Sequence, residues 1–394
     1  MRETDNSNTP LPGDPDQTFK ADRVSREKTV RIFIHESVDS YRAFTRDLSL
    51  QKDLLSLSFH DQLTGLFNRR YFETEMRRLD TRRQLPLSVV MGDINGLKLV
   101  NDAFGYQKGD HLLMSFSGIL RESCRQEDVI ARWGGDEFTI LLPQTPEEKG
   151  KEICSRILER CLQKRWKPIP ISASLGLATK IHPNQVLASV LQQAEEKMFH
   201  EKTLKSSTVR RIFLEALKYQ LFEIHQETWH NSEGKILELH LALGKSFQLS
   251  KRQLEELLKL AMLHDIGKIA LPREVLIKPG FLTPAEWDIV KKHPEIGFRI
   301  VQYFPDLAPL ADSILSYRER WDGTGYPLGI SGGKIAYLAR LSNIINAFLA
   351  MTHNRPHQRA KSTAQAIREI EASAGQKFDP SIVTQFLKIV SESK

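Results

Sequence analysis

Three acidic residues, Asp93, Asp136 and Glu137, form the first candidate site for chemistry in the sequence. Asp93 closes a short apolar run from Leu85 to Ile94 that is typical of a buried strand, and strand ends often carry chemistry in α/β sheets. Asp136 and Glu137 follow a Gly-Gly pair between two strand-like runs, where a hairpin turn is expected. Converging carboxylates repel one another unless a cation joins them, and Mg²⁺ prefers oxygen ligands and substrate phosphates. The pattern therefore predicts a site for a magnesium-bound triphosphate.

Four further polar residues could complete a nucleotide site. Lys98 and Lys202 could each meet a phosphate as a compact charge, and Asn101 and Asp110 could hydrogen-bond the edge of a base such as guanine. Each feature taken singly also has a structural explanation, because Gly-Gly-Asp is usually only a turn and a strand-end aspartate often caps the next helix. The prediction therefore depends on their occurring together.

A second polar set lies between Leu263 and Pro272, where His264 and Asp265 are adjacent and Lys268 follows one turn later. Adjacent residues of a helix point about 100° apart, so the pair can share one metal only if other helices supply ligands. His293 is one candidate for such a ligand. The alternative is an ordinary hydrogen bond at a helix end.

Composition indicates a soluble, globular chain. Its 394 residues suggest two to three domains, and it is 40% hydrophobic and 27% charged. No apolar run approaches the roughly 18 residues that span a bilayer, and the polar N-terminal segment is not a signal peptide. The net charge of +7 favours anionic ligands, but the basic residues are scattered, so we expect no nucleic-acid partner. Three cysteines without metal or disulfide spacing favour a cytoplasmic location.

The elements that must position these residues divide the chain into four parts. Residues 1–25 are expected to be disordered, and residues 26–58 to form a signalling or dimerisation helix that pairs with a second copy or packs on its own domain. Residues 59–205 alternate helices and strands, which predicts an α/β or α+β domain with a central mixed sheet flanked by helices. Residues 210–394 are helical in pattern and predict a second, all-α domain. The predicted elements of the first domain are strands at 85–94, 128–133, 137–142 and 168–179 and a helix at 187–202.

Three segments together carry a resemblance to a known family: HDQLTGLFNRR (60–70), GDINGLKLVNDAFGYQKGD (92–110) and ARWGGDEFTILLP (131–143). Over about residues 57–204 the chain resembles the GGDEF family of diguanylate cyclases. The resemblance implies that two GTP molecules are condensed to cyclic di-GMP with release of pyrophosphate, on a homodimer. By the same resemblance, Asp93 and Asp136 bind Mg²⁺ or Mn²⁺, and Glu137 helps to bind the metal or activates the 3′-hydroxyl. Lys98 and Lys202 would face phosphate, and Asn101 and Asp110 would read guanine.

The resemblance also places an inhibitory site for cyclic di-GMP at Arg125 and Asp128, since Arg and Asp can grip the edge of guanine. The chain departs from the family pattern at Asn95, Tyr106 and Phe199. These departures bear on rate and affinity rather than on the type of reaction.

Residues of about 222–390 resemble the HD-GYP family of metal-dependent phosphodiesterases that act on cyclic di-GMP. The matching runs are 263–297, ERWDGTGYP (319–327) and FDPSIV (378–383). His264, Asp265 and His293 remain as ligands, with Lys268 beside them. The positions where the family has its other ligands hold Ser232, Tyr317, Arg318, Asn346 and Leu349, although His230 lies near the first of them.

The replaced ligands predict a degenerate site with no metal and no phosphodiesterase turnover. Arg318 about 4 Å from a divalent ion would cost roughly 8 kcal/mol at an effective dielectric constant of 20. Neutral Asn346 and Leu349 could not offset that repulsion. The domain is then either a nucleotide sensor or a scaffold. Two alternatives for the whole chain stay open: a phosphodiesterase regulated by the GGDEF domain, and a non-enzymatic module that senses cyclic di-GMP or GTP.

Overall fold

The computed structural model of the chain describes residues 58–164, 166–228, 233–353 and 359–392. The chain divides into two compact units, residues 1–62 and 63–394, and most of the first unit lies outside the described residues. The predicted tail at 1–25 and the predicted helix at 26–58, of which only residue 58 is described, therefore stay predictions. Within the described residues, no helix is long and apolar enough to cross a membrane.

A five-stranded sheet organises the first half of the second unit. Its strands are β1 (Phe67–Asn68), β2 (Leu87–Ile94), β3 (Val129–Gly134), β4 (Glu137–Leu142) and β5 (Ala173–Lys180). They lie in the order β1-β3-β4-β2-β5. Strand β1 runs parallel to β3, and the other neighbours are antiparallel, which confirms the predicted mixed sheet.

Helices cover both faces of this sheet because apolar side chains alternate along its strands. On β2, Leu87, Val89 and Met91 belong to one buried cluster, and Val90 and Ile94 belong to the other. Successive residues of a strand point to opposite faces, so both faces need a cover. The helices are α1 (Arg69–Leu79), α2 (Leu97–Phe104), α3 (Tyr106–Ser123), α4 (Glu147–Gln163) and α5 (Leu187–Thr228).

Helix α5 is far longer than the sequence pattern predicted. We expected it to end at Lys202, but it continues without a break to Thr228. No glycine or proline interrupts these 42 residues, and nothing therefore ends the helix at the expected place. The predicted boundary between the two domains, at about residues 205–210, falls inside this one helix.

The second half of the unit is helical, which confirms the predicted all-α domain. Serine or threonine capping boxes begin three of its helices, at Ser250, Thr283 and Ser362. Its apolar core is continuous with one face of the sheet through Phe213 and Leu217 of α5. The helices are α6 (Glu233–Ser246), α7 (Lys251–Leu263), α8 (Arg273–Leu276), α9 (Pro284–Val290), α10 (His293–Gln302), α11 (Ala311–Leu315), α12 (Tyr337–Thr352), α13 (Thr363–Ala372) and α14 (Pro380–Glu392).

Candidate active site

Asp93 lies at the end of β2, where three strands meet. It is paired in register with Glu137 on β4 and with Ser174 on β5. The amide of the next residue, Ile94, donates a hydrogen bond of 3.0 Å to the carbonyl oxygen of Asp136. The backbone thus brings the hairpin acids to the strand end, as the sequence predicted. Asp93 is only 4% exposed, so its carboxylate has little contact with water.

One cation reaches the buried carboxylate of Asp93. Lys202 of α5 donates a hydrogen bond of 2.7 Å to Oδ2, while Oδ1 has no hydrogen-bond partner among the described residues. Burial raises the pKa of Asp93 to about 6, because the pull of Lys202 does not outweigh burial and the repulsion from Asp136 and Glu137. An ionised Asp93 therefore has more negative charge around it than its one partner balances, as expected of a cation site.

The hairpin that carries the other two acids is shaped by glycine and arginine. Gly135 has φ of 54°, which glycine adopts without strain. The Arg132 side chain donates two hydrogen bonds, of 3.0 and 2.7 Å, to the carbonyl oxygen of Gly135. Burial raises the pKa of Glu137, and the neighbouring Asp136 raises it further. The turn therefore holds two acids whose charges disfavour one another.

The acids fit a magnesium ion whose other ligands are mostly supplied by water and by substrate. No group of three or more His, Cys, Asp or Glu side chains with metal-binding spacing occurs in the described parts of the chain. Mg²⁺ is commonly bound by only one or two carboxylates together with substrate phosphates, and the unpartnered oxygen of Asp93 suits that arrangement. The three-ligand set of Asp93, Asp136 and Glu137 stays a prediction.

The corner between α2 and α3 brings Asn101 close to Asp110. A Cβ atom on Gly109 would lie 1.8 Å from Oδ1 of Asn101, so the Asn101 side chain occupies the space that Gly109 leaves open. Asp110 follows directly, and both polar residues are partly exposed. Lys98 is exposed on the first turn of α2. These positions are compatible with the predicted contacts to a base and to phosphate, which stay predictions.

The three departures from the GGDEF pattern leave these acids in place. Asn95 is buried and bonds two serines of the neighbouring segment, donating to Ser172 Oγ at 3.0 Å and accepting from Ser174 Oγ at 3.2 Å. It therefore fastens β2 to β5. Tyr106 and Phe199 are both exposed.

Arg125 and Asp128, the proposed inhibitory pair, are joined by a hydrogen bond across a turn. The carboxylate of Asp128 accepts a hydrogen bond of 2.7 Å from the backbone amide of Arg125, and the Arg125 side chain is exposed. Burial raises the pKa of Asp128. Asp128 thus shapes the loop that presents Arg125, and the binding of cyclic di-GMP by this pair stays a prediction.

The second polar set forms a buried cluster around Asp265, which is fully buried. Lys268 Nζ lies 2.5 Å from Oδ2, and Arg318 Nη2 donates to Oδ1 at 2.9 Å. Burial acts to raise the pKa of Asp265, but Lys268, His264 and Arg318 hold it well below the usual value. His293 Nε2 lies 3.4 Å from Oδ1. The carboxylate is thus already neutralised by cations of the protein itself.

Residues at the replaced ligand positions contact one another. Asn346 donates a hydrogen bond to the hydroxyl of Tyr317, and the Tyr317 ring lies 4.4 Å from that of His264. Leu349 is buried. These side chains occupy space beside the cluster, and Arg318 adds a positive charge next to Asp265, so the residues present do not fit a divalent metal. Ser232 and His230 lie outside the described residues.

His225 is a member of this region that sequence reasoning missed. Its ring centroid lies 6.4 Å from that of His264, and burial lowers its pKa to about 4. Burial also lowers the pKa of His293. His225 belongs to the part of α5 beyond Lys202, so only recognition of the longer helix could have indicated it.

Comparisons with known proteins agree with this two-part architecture. The family model described as "Diguanylate cyclase, GGDEF domain" matches residues 58–208, and the model described as "HD domain" matches residues 215–382. A cyclic di-GMP phosphodiesterase of Thermotoga maritima is 36% identical over 216 residues, which cover 52% of this chain and 57% of that protein. A cyclic di-GMP phosphodiesterase of Pseudomonas aeruginosa is 37% identical over 153 residues, or 39% of this chain and 37% of that protein.

The chain therefore spans less than two thirds of the length of these relatives. Among solved structures, the diguanylate cyclase SiaD of Pseudomonas aeruginosa, in complex with its activator SiaC, matches at 26% identity with a TM-score of 0.35. That match covers 48% of this chain and 74% of the other.

Proposed function

The chain joins a GGDEF domain, matched over residues 58–208, to an HD domain, matched over residues 215–382, and we propose that it is a diguanylate cyclase whose HD domain does not hydrolyse cyclic di-GMP. One observation carries the cyclase proposal. Asp93 is a buried acid at a strand end, with one oxygen lacking a partner among the described residues and with Asp136 and Glu137 beside it. Such an arrangement suits a cation and the phosphates that the cation brings.

The reaction is two attacks, in which the 3′-oxygen of each GTP bonds to the α-phosphorus of the other; each attack breaks one bond to pyrophosphate, so two pyrophosphates leave and the ring closes. Mg²⁺ or Mn²⁺, held by Asp93 with Asp136 or Glu137, would stabilise negative charge on the triphosphate when bound. Lys98 and Lys202 would bind phosphate oxygens, and Lys202 would then exchange its carboxylate partner for phosphate. Glu137, whose pKa is raised by burial, would accept the proton of the 3′-hydroxyl.

The choice of guanine and the need for two copies of the chain both follow from Asn101 and Asp110. An amide such as that of Asn101 offers both a donor and an acceptor to guanine, and the carboxylate of Asp110 accepts from its ring and amino hydrogens. Cyclic di-GMP contains two guanylates, whereas each GGDEF domain carries one set of these residues. We therefore propose that two copies of the chain face one another in the active form.

The direct test is to incubate the purified chain with GTP and Mg²⁺. We expect cyclic di-GMP and pyrophosphate to form, and Asp136→Ala to slow the reaction about 100-fold or more, since removal of one charge-stabilising group commonly has that effect. Asp306→Ala, which removes an exposed aspartate of the HD domain, serves as the control. Nucleotide binding without turnover would instead favour the sensing module.

The turn at Arg125 gives a second testable expectation. Arg125→Ala should relieve inhibition by cyclic di-GMP, because the variant removes an exposed guanidinium while Asp128 can still accept from the backbone. Initial rates measured against added cyclic di-GMP would report the change. Gln126→Ala, at an exposed neighbouring position, should leave the inhibition as it is. Equal inhibition of the wild type and the Arg125 variant would contradict the assignment.

Phosphodiesterase activity is the second candidate function, because the curated relatives named above are cyclic di-GMP phosphodiesterases. The cluster around Asp265 speaks against it. Two cations of the protein contact that carboxylate, and Tyr317 and Asn346 are engaged with one another. We propose that the HD domain acts without metal, as a regulator or a scaffold of the cyclase.

A further inference from the structure

Two helices connect the candidate cyclase site with the HD cluster. Helix α5 carries Lys202, which contacts Asp93, and one end of the same helix carries His225, which lies beside His264. Helix α10 begins at His293, in the HD cluster, and packs along α2 of the GGDEF domain. The two sites therefore share structural elements within one compact unit.

A further contact of α5 lies at the turn that follows the Asp93 strand. Gly96 is the N-cap of α2 with φ of 84°, and a Cβ atom there would lie 2.5 Å from the ring of Phe213 and 3.0 Å from Ile169 Cδ1. Phe213 is 0% exposed and lies on α5, outside both family matches. Its buried ring thus packs against Gly96, which lies three residues after Asp93 and two before Lys98 in the sequence.

The HD domain fastens the same helix from another side. Arg299 of α10 donates a hydrogen bond of 3.3 Å to the carbonyl oxygen of Asp102 on α2. Tyr303 follows the end of α10; burial raises its pKa, and Arg210, Lys202 and Asp93 all act on it. Its hydroxyl therefore lies within electrostatic reach of the Asp93–Lys202 pair.

We propose that Phe213 is a positioning residue of the cyclase site, and that the HD domain, through α5 and α10, is a structural part of that site. The inference rests on the proposed function and extends it. Phe213 fixes the turn at Gly96, and that turn sets where Asp93 and Lys98 stand relative to each other. Misplacement of reacting groups by about 1 Å can slow an enzyme by 100-fold, so loosening this support should reduce turnover even in a folded protein.

The experiment compares two buried phenylalanines. Phe213→Ala and Phe386→Ala each leave a cavity in the same continuous core, and Phe386 of α14 is likewise 0% exposed but packs on Phe348. We expect both variants of the full chain to melt at a lower temperature. At a temperature where both are folded, only Phe213→Ala should lose kcat, by about 10-fold or more, with KM for GTP less affected. Equal kcat for the two variants would overturn the proposal.

Two further variants cover the case in which Phe213→Ala does not fold. Phe213→Leu keeps most of the side-chain volume and should retain an intermediate kcat, and Arg299→Ala removes the link to Asp102 at the protein surface. Wild-type kcat in both would count against the proposal.

A separate measurement distinguishes this inference from the cyclase assignment. If the wild type forms no cyclic di-GMP, the proposed function fails, and the binding of a non-hydrolysable GTP analogue with Mg²⁺ takes the place of turnover. Weaker binding in Phe213→Leu but not in Phe386→Leu would then support the positioning role. Equal binding by the two variants would overturn it.

Discussion

The Asp93→Asn variant, measured in chelator at pH 7, is expected to unfold at a higher temperature than the wild type, yet to form cyclic di-GMP about 100-fold more slowly once GTP and Mg²⁺ are supplied. Loss of activity follows because an amide cannot replace a carboxylate as a ligand for the cation. The gain in stability follows because ionised Asp93 is buried next to Asp136 and Glu137, and among the described residues only Lys202 opposes their charge.

The size and pH dependence of that gain follow from the pKa of Asp93. Burial first, and then the neighbouring acids, raise this pKa from 3.8 to about 6 against the pull of Lys202. The folded state therefore binds the proton more tightly than the unfolded state, and its stability falls as the pH rises from about 4 to about 6. A shift of this size corresponds to about 3 kcal/mol in the free energy of unfolding. Relative to the wild type, the Asn variant would gain this stability above about pH 6 and would gain none below about pH 4.

Thermal unfolding of both proteins between pH 4 and pH 8 is the measurement. Glu159→Gln removes an exposed carboxylate from α4 and should change neither stability nor activity noticeably. If the Asp93 variant were less stable than the wild type at pH 7, its carboxylate would be a structural ion-pair partner rather than part of a cation site.

The opposite result is expected at Asp265, the buried aspartate of the HD cluster. Asp265→Asn should lower the free energy of unfolding by about 3–5 kcal/mol, because it leaves Lys268 and Arg318 without the charge they contact. The pKa of Asp265 is held well below its usual value by Lys268, His264 and Arg318, against the effect of burial. That stabilisation is complete above about pH 4 and is lost only as the pH falls further.

Denaturant unfolding at pH 7, with and without added Mn²⁺, would check this expectation. Asp288→Asn removes an exposed aspartate of α9 and is the control. Neither chelation nor metal addition should change the stability that the Asp265 cluster gives to the wild type. If instead wild-type protein bound two metals in the HD domain and hydrolysed cyclic di-GMP, the metal-free interpretation of this cluster would be wrong.

Short-range patterns predicted four of the five strands and the acids proposed for the cyclase site, but not the two-residue strand β1 (Phe67–Asn68). The strand at 137–142 was predicted with its observed bounds. Two other strands begin later than predicted, at Leu87 and at Ala173, because Pro86, Pro168 and Pro170 cannot donate to a strand ladder. The convergence of Asp93 on Asp136 also followed, since alternation and a glycine turn fix the register between neighbouring strands.

The continuation of α5 was not predicted because the residues after Lys202 are of types that usually disfavour helices. Hydroxyl-bearing residues cluster just after Lys202, and such residues usually compete with helix formation. Here Thr203 and Ser206 donate instead to carbonyl oxygens within the helix, at 2.9 Å each. The bond between Asn346 and Tyr317 and the contact of Arg318 with Asp265 were also beyond prediction, because they join segments 29 and 53 residues apart.

Because α5 is unbroken, the number of residues between Lys202 and the HD domain determines how that domain is rotated about the helix axis. Each residue of an α-helix advances the chain by about 1.5 Å and turns it by about 100°. Inserting one residue between Lys202 and Phe213 would swing everything beyond it by more than a quarter-turn and carry α10 away from α2. Inserting seven would nearly restore the angle but move the HD domain by about 10 Å. The spacing along this helix is thus as constrained as the spacing of the acids on the hairpin.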